Sequence, residues 1–217
     1  MPYLSPLDTE GDPEKAGGMA TIIEHTPPYF VGYFVGSLSE QSVNRALARA
    51  LIRLAPRELE FTEMVIKDLP LYNRDLDGHF PQVAIDFKAA IAEQDALLFV
   101  TPEYNRSIPG ALKNAIDWAS RPYGANVIAR KATAVIGASP GAIGTAVAQQ
   151  GLRSILSFLN APQMNAPEAY ISARPGLITP DGEVTNPATE DFLRAYMVSF
   201  FEYIERVLTV VPGPGRE

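Results

Sequence analysis

A run of apolar residues with a proline close behind it, Ala96-Leu97-Leu98-Phe99-Val100 and then Pro102, constrains this chain more than any other stretch. Such a run suits a strand covered on both faces of a parallel sheet, and Pro102 breaks it before it can become a buried helix. The polar loop Thr101 to Arg106 follows. Ser107 is the expected N-cap of the next helix, with Pro109 in its first turn, where a missing N–H costs nothing. That helix is expected from about Gly110 to Ser120, with Leu112, Ile116 and Ala119 as its buried stripe. Leu112, Ile116 and Trp118 read as core residues, whereas Glu103, Tyr104 and Asn105 on the loop read as binding residues. Strand, polar loop and helix together place a ligand site at the carboxyl edge of an open α/β sheet. The loop and the helix N-terminus supply N–H donors and Tyr104 a flat face, which suits a planar heterocycle with carbonyls along one edge.

The rest of the chain repeats the unit. Tyr29 to Val35 predicts the first strand, and Gly36-Ser37-Leu38-Ser39-Glu40-Gln41-Ser42-Val43-Asn44 leads into a helix with Leu47, Leu51 and Leu54 on one face. A hydroxyl-rich loop opening a helix is an anion site, and either Ser39 or Ser42 also serves as the cap. Neither GxGxxG nor GxxxxGK[ST] occurs. Glu58 to Ile66 predicts a second strand, and Asp68 to Asp75 a loop that is either a rigid connector or part of the site. A helix from about Pro81 to Glu93 carries Val83, Phe87 and Ile91. Lys131 to Ala138 predicts the fourth strand, followed by a second glycine loop, Ser139-Pro140-Gly141-Ala142-Ile143-Gly144. A helix to about Asn160 then buries Leu152, Ile155, Leu156 and Leu159, and a fifth strand is expected over Glu168 to Ser172. After a loop with the turn signal Asp181-Gly182, Asn186 caps the last helix, with Pro187 first. On that helix Phe192, Tyr196, Phe200, Tyr203 and Val207 share one face, and Leu193, Met197, Ile204 and Leu208 lie beside it. Five β-α units of this kind give an α/β domain over residues 29–210, doubly wound in three layers. Residues 1–28 are polar, acidic and rich in Gly and Pro, and are expected to be a flexible extension without the apolar core of a secretory signal. Met19 within it is a second candidate start, and residues 211–217 are expected to be a disordered tail.

Composition removes several function classes. The net charge of −7 argues against a nucleic-acid partner, and no apolar run reaches the length of a membrane span. With no cysteine there is no disulfide, thiolate metal site or dithiol chemistry, so redox work falls to a bound cofactor. His25 and His79 are the only histidines, and they read as loop residues, not metal ligands.

Pro102-Glu103-Tyr104-Asn105, then Ser107-Ile108-Pro109-Gly110 and Leu112-Lys113-Asn114-Ala115-Ile116-Asp117-Trp118, resemble the NADPH-dependent FMN reductase family, and within it the quinone, chromate and azo-dye reductase branch. The resemblance runs from about Tyr29 to Val210. It implies a flavodoxin-like fold with a five-stranded parallel sheet in the order 2-1-3-4-5, bound FMN, and NADPH or NADH as co-substrate. Carried onto this chain, it implies cofactor contacts at Ser37, Ser39, Ser42, Val43 and Asn44, at Pro102, Glu103, Tyr104 and Asn105, and at Ser139 and Gly141. Flavin-mediated transfer implies no catalytic side chain and no metal. The N–H groups of Tyr104 and Asn105 would face the ring's carbonyl edge, with Ser139 and Gly141 at its other end; Arg106 reads as solvated rather than as a phosphate contact. The family's phosphate loop usually reads GSLRKGSFN, and here Ser39, Glu40 and Gln41 stand in place of Arg, Lys and Gly. Quinones, chromate or azo compounds would accept the electrons, in a cytoplasmic homodimer or homotetramer. Leu71-Tyr72, Trp118 and Arg121-Pro122-Tyr123 resemble positions near subunit contacts. A non-enzymatic flavodoxin-like electron carrier and a flavin-free interaction domain are the alternatives.

Overall fold

The computed structural model describes residues 26–211. Most of the expected extension and all of the tail beyond Val211 lie outside them. The elements run β1 (Tyr29–Val35), α1 (Val43–Leu54), β2 (Leu59–Glu63), a 3-10 turn (Arg74–Leu76), α2 (Gln82–Ala92), β3 (Ala96–Val100), α3 (Gly110–Ser120), β4 (Ala132–Ser139), α4 (Ala146–Phe158), β5 (Tyr170–Ser172) and α5 (Pro187–Val210). The strands form one five-stranded sheet in the order β2-β1-β3-β4-β5, and every pairing is parallel. The fold and strand order are those expected.

Every residue of β3 is fully buried, because the central strand is covered on both faces. On one face Leu98, Val100 and Ala96 pack with Leu47 and Leu51 of α1 and Leu193, Tyr196, Phe200 and Ile204 of α5. On the other, Leu97 and Phe99 pack with Phe87 and Ile91 of α2, Leu112 and Trp118 of α3, and Leu152 and Leu156 of α4. Phe34 stacks on Phe99 at 4.6 Å, within 8° of parallel. Each such large side chain contributes about 1.5–3 kcal/mol by leaving water. Tyr196 is buried in this core and donates its hydroxyl to the Val135 carbonyl at 2.9 Å. Burial pushes its phenol well up, which keeps it a neutral donor.

Several local expectations need correction. Ser107 does not cap α3: Pro109 occupies the cap position, and Ser107 instead pairs with Tyr104. Val83 points outward, and Ala84 takes its place beside Phe87 and Ile91. Phe192 is partly exposed on α5, where Leu193 and Met197 do the packing. β2 is shorter than expected at both ends and β5 at its start, as edge strands are when only one neighbour pairs with them.

At the carboxyl edge the central strands crowd together. A Cβ on Gly36 would lie 2.7 Å from Thr101 Oγ1, and one on Gly137 would lie 2.0 Å from Thr101 O and 2.4 Å from Thr145 Oγ1. The ladder continues into this crossing, with Gly36 N donating to Val100 O at 2.9 Å and Thr101 N to Ile136 O at 3.0 Å. Thr101 is fully buried between the two glycines.

Because the nearest obstacle at Gly137 is backbone, Gly137→Ala is expected to cost more than about 3 kcal/mol, measured from the urea midpoint. Gly151 on α4 has open space around it, and Gly151→Ala is expected to stabilise by about 0.5–1 kcal/mol in the same assay.

Candidate functional site

The loops that leave β1, β3 and β4 lie side by side, because those strands are neighbours in the sheet. In the β1 loop Ser37 is buried, and its Oγ accepts from Ser39 N at 3.3 Å, which leaves its hydroxyl proton to donate. Ser42 is the N-cap of α1 and accepts from Arg45 N at 3.3 Å, so Ser42 and not Ser39 supplies the cap. Val43 and Asn44 open the helix, where N–H groups have no intrahelical acceptor and the dipole favours an anion. Ser39, Glu40 and Gln41 are exposed.

The Asn44 side chain does something spacing did not suggest. It is buried and grips β4 from both sides, donating to Ala138 O at 2.9 Å and accepting from Ala138 N at 2.8 Å. Its amide is therefore committed to the protein, and what it offers a ligand is its backbone N–H.

The β3 loop turns sharply. Tyr104 N donates to Ser107 O at 2.9 Å and Ser107 N to Tyr104 O at 3.0 Å, while Asn105 and Arg106 take φ of 51° and 66°. This is a two-residue turn with both central residues left-handed, a conformation Asn tolerates and Arg does not prefer. The Tyr104 N–H is thus spent within the turn, and of the two donors expected for a ring edge that of Asn105 remains. The Tyr104 ring is 51% exposed, available as a flat face. Pro102 is buried beneath the loop, and its carbonyl accepts from Thr101 Oγ1 at 2.9 Å. In the β4 loop Ser139 Oγ accepts from Gly141 N at 3.0 Å, which leaves the Ser139 hydroxyl proton as the donor there. Leu38 and Ile143 add exposed apolar surface to the β1 and β4 loops.

Glu103 is mostly buried, and its carboxylate is turned to protein backbone. Its Oε2 accepts from Val147 N at 3.1 Å and Ala148 N at 3.0 Å, capping α4 from a different loop. Its Oε1 lies 3.6 Å from the exposed Arg106 guanidinium.

Beside the β1 loop the cations are committed. Arg45 pairs with Glu63 at 2.9 and 3.0 Å, and Arg49 donates to Pro180 O at 2.6 Å. They line a cavity of about 430 Å³ with Glu40, Gln41 and Ile178. Tyr33 donates to Glu63 at 3.3 Å, and burial, then the Glu63 carboxylate, holds its phenol above the usual range. Among the described residues, no cluster of three or more His, Cys, Asp or Glu could hold a metal ion, and no helix is long and apolar enough to cross a membrane.

Sequence reasoning missed the residues that build the floor of the site: Thr101, Gly137 and Thr145. The usable signal was glycine at the end of an apolar strand run, at both Gly36 and Gly137, which marks close approach of another backbone.

The donor set suits a flavin nucleotide. Neutral hydroxyls at a helix N-terminus are donors of the kind that bind an anionic phosphate, and a flat aromatic face beside scattered single donors is the kind of surface that binds a planar ring. Residues 30–175 match the NADPH-dependent FMN reductase family. Over 174 residues the chain is 47% identical to a 2-hydroxy-1,4-benzoquinone reductase from Burkholderia sp., covering 80% of this chain and 95% of that one. It is also 47% identical over 178 residues to a quinone reductase from Pseudomonas putida, covering 82% and 95%. The solved structure of FerB, a flavoenzyme NAD(P)H:(acceptor) oxidoreductase from Paracoccus denitrificans, superposes with a TM-score of 0.79 at 45% identity, covering 82% of this chain and 98% of that one. The chain belongs to the NADPH-dependent FMN reductase family. It is an NAD(P)H-dependent oxidoreductase with FMN as its cofactor.

Proposed function

We propose that the protein passes electrons from NADPH or NADH, through FMN seated at this sheet edge, to quinones, with chromate and azo compounds as further acceptors. The observation that carries the reading is the cross-bracing of the loops. Asn44 ties α1 to β4 and Glu103 ties the β3 loop to α4, so the cleft is built before any ligand arrives. A preformed cleft loses less ordering entropy on binding. The relatives named above as quinone reductases support the choice of acceptor.

FMN supplies the two-electron chemistry, and the chain's residues bind, orient and shield. Ser37 and Ser42 hydroxyls, with the Val43 and Asn44 N–H groups, would hold its phosphate. The Asn105 N–H, the Tyr104 ring and the Ser139 hydroxyl would bind and orient its ring system. No side chain need exchange a proton with the acceptor in this scheme, so no acid or base is assigned. One cleft serving donor and acceptor in turn gives a substituted-enzyme route. The expected outcome is flavin fluorescence quenching with one FMN per chain, followed by NAD(P)H oxidation with a quinone on parallel initial-rate lines. Intersecting lines would refute the route, and binding without turnover would favour an electron carrier.

A homodimer or homotetramer belongs to the same proposal. Leu71 and Tyr123 are 84% and 94% exposed, yet their loops are fastened. Pro70 O accepts from Trp118 Nε1 at 2.7 Å and Asn114 Nδ2 at 2.9 Å, and Lys88 Nζ donates to the Arg121 and Ala125 carbonyls. Trp118 itself is buried and braces that surface from below. Fixed apolar side chains in water favour a partner. Light scattering at micromolar concentration is expected to give at least twice the chain mass.

At the phosphate end, Ser39 offers a neutral donor where relatives carry arginine. Ser39→Arg would add a charge-assisted bond, about 1–2 kcal/mol net, or roughly five- to thirty-fold tighter FMN binding with a steeper salt dependence. Riboflavin, which lacks the phosphate, is expected to show little change. Equal improvement for riboflavin, or none for FMN, would remove the phosphate from this loop.

A further inference from the structure

The Glu103 carboxylate does work that a residue beside α4 normally does for itself. Thr145, at the cap position of α4, makes no cap hydrogen bond; its hydroxyl accepts from Gln149 Nε2 at 2.9 Å beneath the Gly137 crossing. The donors of the first turn are instead met by one oxygen of Glu103, 44 positions before Val147, on a side chain only 10% exposed. A neutral Ser, Thr or Asn in the local chain would cap the helix without charge. Here the cap brings a full negative charge to a helix end that carries about half a positive charge. The charge sits between the β3 and β4 loops, one residue from Tyr104.

We propose that Glu103 is a positioning residue that also sets the reduction potential of the flavin. Its carboxylate fixes the β3 loop against α4 and cancels the positive end of that helix, which would otherwise stabilise a negatively charged ring. The proposal rests on the flavin reading above. In the couple concerned, the oxidised ring takes two electrons and one proton from NAD(P)H, releasing NAD(P)+, and the reduced ring carries one negative charge. A mostly buried carboxylate on the loop that would hold the ring disfavours that charged form and leaves the oxidised form untouched, so it holds the potential low. A low potential makes the reduced flavin a stronger donor to the acceptor. Arg106 screens only in part, because its side chain is 70% exposed.

Glu103→Gln separates the two roles. The side-chain amide keeps an acceptor oxygen for Val147 and Ala148 but removes the charge. Glu103→Ala removes both. The measurements are FMN affinity by fluorescence quenching and the midpoint potential by redox-dye equilibration, on parent and variants loaded with FMN. For Glu103→Gln, the expected result is FMN affinity within threefold of the parent and a reduction equilibrium at least tenfold more favourable, a rise of about 30 mV for a two-electron couple. For Glu103→Ala, the expected result is at least tenfold weaker FMN binding as the loop loses its tie. A purely structural cap would change affinity and melting temperature without raising the potential of Glu103→Gln. An unchanged or lowered potential in Glu103→Gln overturns the electrostatic role even if Glu103→Ala fails to fold. FMN affinity equal to the parent in Glu103→Ala overturns the clamp. A parent that binds no flavin overturns the flavin reading along with this proposal, whereas a parent that binds while Glu103→Gln keeps its potential overturns the proposal alone.

Discussion

The site depends on a steric fact at the carboxyl edge of the sheet. Thr101 is wedged between Gly36 and Gly137, closer than any side chain there would allow. That contact sets where the β1, β3 and β4 loops begin. Parallel neighbours alone would leave those loops separate, each free to move on its own helix. The crossing holds their roots together, and Asn44 and Glu103 then bind their upper parts across the gaps. Each brace leaves no buried backbone donor wanting: Ala138 is satisfied on both sides, and α4 has its first-turn donors met. The same bonds that satisfy the backbone therefore preorganise the cleft.

How much of this was legible in the sequence follows from the range of the forces involved. The strands came through because burial on both faces leaves a continuous apolar run, and Pro102 marks where the central one stops; the order of the sheet came from the family resemblance and not from any such run. The cap at Asn186 came through, and that of α1 was narrowed to Ser39 or Ser42, because a cap bonds three residues along its own chain. Ser107 misled for a related reason. Its residue type and spacing fit a cap, yet the turn at Asn105-Arg106 claims its backbone, and turns made of non-glycine residues at positive φ carry a weak sequence signal. Val83 and Ala84 differ by one position in helical phase, an error that only the packed face can correct.

The grouping of the three loops was legible in the sequence, and the roles of particular side chains on them were not. Asn44 and Glu103 were singled out as ligand contacts, but their side chains are spent on protein backbone 94 and 44 positions away. No local pattern announces such a bond, because its partner's N–H and C=O carry no residue identity. Polar residues retained in a binding loop can thus be there to shape the cleft and not to touch what it holds. For Asn44 the amide's donor and acceptor match the two backbone groups of Ala138, a pairing that Asp would leave half unsatisfied and Leu wholly so.

Charge explains how an acidic chain accommodates an anionic cofactor. With a net charge of −7, long-range attraction does not favour a phosphate. At physiological ionic strength, however, exposed charges are screened beyond about 8 Å, so the field at the site belongs to its nearest groups. At the β1 loop Arg45 is neutralised by Glu63, Glu40 is exposed to screening solvent, and the fixed donors are hydroxyls and the first N–H groups of α1. Oriented neutral dipoles lose little to screening, because they act at contact distance and from fixed positions. Binding through them relies on geometry more than on charge. Geometry is what the wedge at Thr101 and the Asn44 brace supply, since both fix the β1 loop and the start of α1 to the centre of the sheet. At the other end of the cleft the balance is reversed. Glu103 places a full charge where most of the water has been removed, and that is where charge has the longest reach.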